Sequence, residues 1–337
     1  MRVLIVGLGS MGKRRIRNLK RGGVTDIIGF DLKPERRIEA ETAYGIKTVA
    51  TFDEGMAANP AALIISTPPN MHMGYAKTGV IAGKHFFAEA GTTTEGLLEV
   101  AALARKHKVV AAPSCTMRFQ PSIRKMKELI DARRIGKILT YSHHCGQWLP
   151  DWHPNEDYRT FYVSRRETGA CREIVPFELT WVNWLVGDRA TRVAGMKAKL
   201  SKLDCDIDDV YHVLLGYKSG VIGHVQVDVL ARAPVRTIRL VGEEGTLEWS
   251  IMAKKLDLYE VKTGTWETFA EPAPRVEKGY SEMSNETMYD DEIGAYLAAI
   301  RGEKPWGNSL EDDHATLQLL LAAEKSNETS TQVPSGT

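Results

Sequence analysis

The feature that most constrains this chain lies at its start. After Arg2 the chain runs apolar and largely β-branched through Val3-Leu4-Ile5-Val6 into Gly7-Leu8-Gly9-Ser10-Met11-Gly12, a G-x-G-x-x-G pattern that leads straight into a predicted helix over 11–20. The context carries the signal, because glycines alone are common. The first glycine permits the tight turn, and the second lets backbone approach a pyrophosphate. The third lets helix and strand pack closely, which puts the phosphates at the helix N-terminus. The other reading is an ordinary strand-to-helix turn. Asp31 closes the second predicted strand, over 26–30. There a carboxylate accepts the adenosine ribose hydroxyls and repels a 2′-phosphate, which favours NAD over NADP. Lys33, Arg36 and Arg37 stand directly behind it and soften that preference.

Strands and helices alternate onward: a helix over 34–44, strands over 47–49 and 62–66, a helix over 71–82, a strand over 84–88, a helix over 94–107 and a strand over 109–113. That rhythm predicts a doubly wound parallel sheet. After Arg118 it changes. A helix over 122–132 leads into a strand over 137–144, and a long stretch without clean periodicity follows. Residues 211–217 and 221–230 flank Lys218-Ser219-Gly220 as a hairpin. Strands over 236–241, 246–250 and 255–261 and helices over 285–300 and 310–326 complete the pattern, and the polar tail over 328–337 is expected to fray. The expected fold is thus α/β, an N-terminal doubly wound Rossmann domain (1–120) plus a C-terminal α+β domain (121–337) with an open, mostly antiparallel sheet.

Composition narrows the function classes. A net charge of +1 over 337 residues gives no sign of a nucleic-acid or acidic-membrane partner. The basic cluster Lys13, Arg14, Arg15, Arg17, Lys20, Arg21 reads as a solvated helix face. Cys115, Cys145, Cys171 and Cys205 are too dispersed for a zinc site or a disulfide scaffold, so no metal is expected and the compartment is a reducing one. The opening apolar run is too short for a signal or membrane segment, and the chain is read as cytoplasmic.

Several segments together resemble the glucose-fructose oxidoreductase/inositol dehydrogenase/MocA family. They are Gly7 to Gly12, the run Ser66-Thr67-Pro68-Pro69-Asn70-Met71-His72, and Arg118-Phe119-Gln120-Pro121 with the later Ile135-Gly136-Lys137. Gly245-Thr246-Leu247-Glu248-Trp249 and Ser309-Leu310-Glu311-Asp312 also match. The resemblance spans essentially the whole chain, and the stretch from Gln147 to Arg159 is similar to members of surface-sugar biosynthesis. It implies hydride transfer between a nicotinamide and a sugar, sugar-nucleotide or cyclitol carbon. It also implies that Thr67, Pro68, Asn70, His72, Glu89 and Arg118 join Gly7, Gly9, Ser10, Met11, Gly12 and Asp31 in holding the cofactor. A homodimer or homotetramer is expected, with Val225, Val227 and Val229 as its apolar face.

The catalytic positions depart from that pattern. The family carries Glu-Lys-Pro after the fifth strand, where this chain has Glu89-Ala90-Gly91. Its helical aspartate and histidine, four apart, correspond to Glu173 and Phe177. A hydroxyl oxidation needs a proton acceptor, a contribution of about 10²–10⁴ in rate. Glu173, His153 and Tyr162 lead the candidates, which also include His143, His144 and Tyr158. Phe177 beside Glu173 is expected to desolvate that carboxylate and raise its pKa, whereas a merely structural Glu173 would pair with Arg172 or Arg166. His143 and His144 close a strand and can equally belong to the core. Trp152 and Tyr158 can stack on a sugar ring or pack within the protein. Arg159 and Arg165 can clamp an anion or sit in solvent. Three functions stay open: an oxidoreductase with relocated acid–base groups, an enzyme using bound NAD without net redox change, and a dinucleotide binder that has lost catalysis.

Overall fold

The apolar run after the first two residues forms β1 (Val3–Val6), every side chain of which is buried, and α1 (Ser10–Arg21) follows from the glycine turn. The computed structural model describes residues 1–152, 157–276 and 285–335. β2 (Ile27–Phe30), α2 (Pro34–Tyr44), β3 (Lys47–Val49), α3 (Phe52–Ala57) and β4 (Ala62–Ile65) continue the alternation. α4 (His72–Ile81), β5 (His85–Ala88), α5 (Leu97–His107) and β6 (Ala111–Pro113) complete it. The six strands pair in parallel in the order β3-β2-β1-β4-β5-β6. With helices covering the faces, such strands read as continuous apolar runs.

The chain divides into two compact units, residues 1–116 with 288–314 and residues 117–287 with 315–337. The domains expected from the sequence divide at 120/121, with everything later in the second. The difference lies in α8 (Glu286–Ile300), whose Ile293, Tyr296 and Leu297 are buried in one core with Leu19, Ile27 and Phe87.

In the second unit, α6 (Pro121–Asp131) precedes β7 (Ile138–Gly146), and the stretch without visible periodicity holds α7 (Ala170–Val186) and β8 (Ala190–Ala198). β9 (Val210–Tyr217), β10 (Ile222–Asp228), β11 (Val235–Gly242), β12 (Gly245–Ser250), β13 (Lys255–Glu260) and β14 (Thr265–Ala270) follow. Among the described residues the sheet has nine strands, antiparallel apart from the β7–β10 pair. The ninth strand corrects the expected frayed tail. α9 (Leu310–Thr329) runs past residue 328, and β15 (Val333–Pro334) pairs with β8, its Val333 buried.

Two further expectations fail on burial. Val225, Val227 and Val229 are fully buried within their own unit rather than presented to a partner; exposed apolar side chains on β7 to β10 include Leu139, Met196, Leu214 and Ile222. Arg14 and Arg15 of the basic cluster are buried as well. Among the described residues no helix is long and apolar enough to cross a membrane, and no group of three or more metal-ligating side chains exists.

Candidate active site

The first unit builds a cradle between β1 and α1. Gly7 sits at φ +95°, a left-handed conformation that favours glycine, and a Cβ there would lie 2.6 Å from the Ser66 carbonyl oxygen. A Cβ on Gly12 would lie 1.9 Å from the Gly7 carbonyl oxygen, so strand and helix approach as closely as the motif requires. No side chain caps the start of α1 and no acidic residue lies in its first turn. The orphan N–H groups and the dipole there suit an anion.

Asp31 is buried, and its carboxylate accepts from the Leu8 amide at 2.8 Å and the Lys33 amide at 2.9 Å. The acid at the end of β2 thus fastens the glycine loop and the turn into α2. On the β4 side, the Thr67 hydroxyl oxygen is buried with no partner among the described residues. His72 Nε2 hydrogen-bonds to the Thr67 carbonyl at 2.9 Å. Burial lowers the His72 pKa against the raising influence of that carbonyl and of Glu89. A cleft lined in part by Pro69, His72, Glu89, Gly91, Thr93 and Pro113 opens past the ends of β4, β5 and β6. Ligands of open α/β sheets bind beyond the carboxyl ends of the strands. The glycine cradle, the unpartnered hydroxyl and the uncapped helix fit a dinucleotide.

Glu89 is held from behind. Arg15 Nε and Nη2 lie 2.7 and 2.8 Å from its two oxygens, and Nη2 also reaches Glu292 Oε2 at 2.9 Å. Burial lowers the Arg15 pKa, yet the two carboxylates outweigh it and raise the value, so the guanidinium stays charged. Glu292 accepts further from Ser114 Oγ, the Cys115 amide and Thr116 Oγ1. Nothing local in the sequence signals this network. Arg15 and Glu292 are 277 residues apart, and nothing in a basic helix shows which cation turns inward.

The second unit brings two of the candidate acid–base residues together. Tyr162 Oη donates to Glu173 Oε1 at 3.2 Å, with Glu173 in the first turn of α7. Arg172, next to it on the helix, pairs with Glu324, and Arg166 pairs with Asp206. Phe177, one turn further on, faces Arg236, whose guanidinium carbon is 5.8 Å from the ring centroid. Glu178 beside it is fully buried; Arg236 Nη2, His143 Nε2 and Trp181 Nε1 each lie 2.9 Å from its oxygens. Burial pushes the Glu178 carboxyl up, but Arg236 and His143 outweigh it and hold its pKa at about 2.

The remaining candidates are dispersed. His143 belongs to the core, its Nδ1 on the Thr237 carbonyl, and His144 pairs with Asp228 at 2.7 Å. Trp152 Nε1 donates to the Gln147 carbonyl, and Tyr158 Oη accepts from the Asp204 amide. Arg159 is engaged by Asp157 and Asp204, whereas Arg165 is exposed. Arg118, expected at the cofactor, belongs to the second unit and donates to the Thr180 carbonyl at 2.9 Å. His153 lies outside the described residues.

Comparison with known proteins follows the same division. Residues 1–114 match the NAD-binding Rossmann fold of the GFO/IDH/MocA oxidoreductase family, and residues 123–248 match the GFO/IDH/MocA C-terminal domain. Inositol 2-dehydrogenase of Rhodococcus erythropolis is 25% identical over 354 residues, 99% of this chain and 94% of that protein. An uncharacterized oxidoreductase of Synechocystis sp. is 26% identical over 162 residues, 46% of this chain and only 43% of that protein. Among solved structures, a levoglucosan dehydrogenase in complex with NADH and levoglucosan matches with a TM-score of 0.85 at 18% identity, covering all of both chains. At that identity the likeness is one of fold.

Proposed function

We propose that this chain, which belongs to the GFO/IDH/MocA oxidoreductase family and carries its NAD-binding Rossmann fold, oxidises a hydroxyl-bearing carbon of a sugar, sugar nucleotide or cyclitol, using Glu173 and Tyr162 as its acid–base pair. The observation that carries the proposal is the 3.2 Å bond between Tyr162 Oη and Glu173 Oε1. Bound NAD supplies the hydride acceptor, or NADH the donor in the reverse direction. In this reading the backbone of Gly7, Gly9, Ser10, Met11 and Gly12 holds the pyrophosphate, and Asp31 holds the adenosine ribose. Thr67, Pro68, Asn70, His72 and Glu89 flank the cofactor on the β4–β5 side. Arg118, which donates to the Thr180 carbonyl, completes that set.

Glu173 takes the proton of the reacting hydroxyl as the carbon gives up hydride, and returns it in the reverse reaction. Tyr162, donating to the carboxylate, is placed either to orient it or to relay the proton through its own hydroxyl. Trp152, Tyr158 and Arg165 contact the substrate, aromatic faces against the ring and the exposed guanidinium against an anionic substituent. Arg159 is less suited, because two aspartates already engage it.

Glu173→Gln is expected to leave NAD affinity intact and lower turnover at least about a hundredfold, the low end for losing a general base. Unchanged turnover would remove Glu173 from the mechanism and point to His153. The chain is also proposed to form a homodimer or homotetramer through the sheet surface bearing Met196, Leu214 and Ile222. Light scattering at micromolar concentration checks this, and a monomer would refute it.

A further inference from the structure

We infer that Arg232, its guanidinium laid on the Trp148 ring, binds a phosphoryl group of the substrate, which makes the hydroxyl-bearing compound a sugar phosphate or a sugar nucleotide. The inference rests on the dehydrogenase reading of Glu173. Arg232 leaves the turn between β10 and β11, and its guanidinium carbon is 3.5 Å from the Trp148 ring centroid. A planar guanidinium stacked on an aromatic face keeps its N–H donors in its own plane, where a phosphate can take two of them. The side chain is exposed, and among the described residues no hydrogen bond or ion pair engages it. Arg159 and Arg166, by contrast, are held by Asp157, Asp204, Asp206 and Asp208.

The turn beneath the stacked pair is pinned. Asp228 Oδ1 accepts from the Leu230 amide at 3.0 Å and the Ala231 amide at 2.9 Å, and the Ala231 carbonyl accepts from the Trp148 amide at 2.8 Å. An anion arriving there therefore has little left to order. Asp228 is buried, and its Oδ2 is taken by His144 at 2.7 Å and Gln226 at 3.1 Å. The turn also stands close to the acid–base pair. The fully buried Cys171, two residues before Glu173, bonds through its thiol to the Val229 backbone. Arg232 is three residues beyond Val229, a backbone reach of roughly 10 Å. One small molecule can thus place a hydroxyl carbon at Glu173 and an anionic group at Arg232. Contacts between singly charged exposed groups contribute little. A phosphoryl group, with up to two charges and three acceptor oxygens, suits this open arginine better than a carboxylate does.

The test is isothermal titration calorimetry of the full chain saturated with NADH, which keeps the probes out of the glycine cradle. The probes are glucose, glucose 1-phosphate, uridine diphosphate glucose and glucuronate. At least one phosphorylated probe is expected to bind about tenfold or more tightly than glucose, the value of one charged hydrogen-bonding contact. Arg232→Ala should erase that advantage and leave NADH affinity unchanged. Arg232→Lys should keep part of it, because it retains the charge and loses the planar fork. Trp148→Leu should also weaken the phosphorylated probe, since the guanidinium loses its platform, and leave glucose unaffected. Tighter binding of uridine diphosphate glucose than of glucose 1-phosphate assigns the phosphoryl group to a nucleotide, and the reverse order assigns it to a sugar phosphate. The inference is overturned if neither phosphorylated probe binds more tightly than glucose, if Arg232→Ala keeps the advantage, or if glucuronate gains as much as they do. Glu173→Gln should leave all these affinities unchanged. If Arg232 governs binding while Glu173→Gln keeps full turnover, the acid–base reading fails and the phosphoryl site stands.

Discussion

Replacing Arg15 by methionine perturbs a charged network sealed inside the first unit, and the structure bounds the cost. Arg15 and Glu292 have fully buried side chains, and Glu89 is 14% exposed. The substitution deletes three charge-assisted bonds of 2.7, 2.8 and 2.9 Å. Removing one partner of a buried ion pair typically costs about 3–5 kcal/mol, because the remaining charge stays desolvated. Two features pull this case toward the lower bound. Glu292 keeps its three donors at Ser114, Cys115 and Thr116, and Glu89 retains some access to water. A loss of about 3 kcal/mol is therefore expected, read from the urea midpoint of the transition that unfolds this unit. An exposed pair such as Lys125–Glu128, 41% and 66% exposed, gives the baseline, and its removal should cost under about 1 kcal/mol. The combination Arg15→Met, Glu89→Gln, Glu292→Gln should recover much of the loss, since no unpaired charge remains buried. A cost below about 1 kcal/mol for Arg15→Met alone would refute the reasoning.

Gly12→Ala drives a Cβ to within 1.9 Å of the Gly7 carbonyl oxygen, and the backbone around the cradle must shift. It should cost about 1–3 kcal/mol and abolish the rise in melting temperature produced by NAD. Gly74→Ala in α4, whose Cβ meets nothing within 4 Å, should leave both unchanged or add slight stability; equal behaviour of the two variants would contradict the cradle. Acid should destabilise the second unit through Glu178. Its folded pKa, about 2, lies below the ordinary 4.5, so its contribution is complete above about pH 4.5 and is lost as pH falls toward 2. In Glu178→Gln with Arg236→Met, stability should fall less steeply over that window, and an unchanged slope would remove Glu178 as its source.

What the sequence disclosed follows the range of each interaction. The glycine loop was legible because its constraints are local: a turn at Gly7, a close approach at Gly12, an acid at the end of the next strand. α3 was missed although Thr51 and Glu54 make a capping box, a spacing that signals a helix start. α7 escaped a periodicity search because Pro176 lies inside it, and only the family resemblance put Glu173 and Phe177 on a helix. Tyr162 and Glu173 could be nominated one by one, but their contact depends on how the loop before α7 folds back. Burial misled twice. Val225, Val227 and Val229 alternate as a surface strand would, yet that side of β10 is core. Arg15 reads as a solvated cation until its two distant carboxylates are known.

The proposed dehydrogenase activity has to be carried without the family's lysine and histidine, at Ala90 and Phe177. The most direct measurement is NADH formation, followed by its absorbance, when the protein with NAD is offered a panel of sugars, sugar nucleotides and cyclitols. Stoichiometric NADH is expected with at least one of them, with loss of that signal in Glu173→Gln. A protein that binds NAD, reduces it with no polyol, and gains turnover only when Ala90→Lys and Phe177→His are introduced together would refute the dehydrogenase reading.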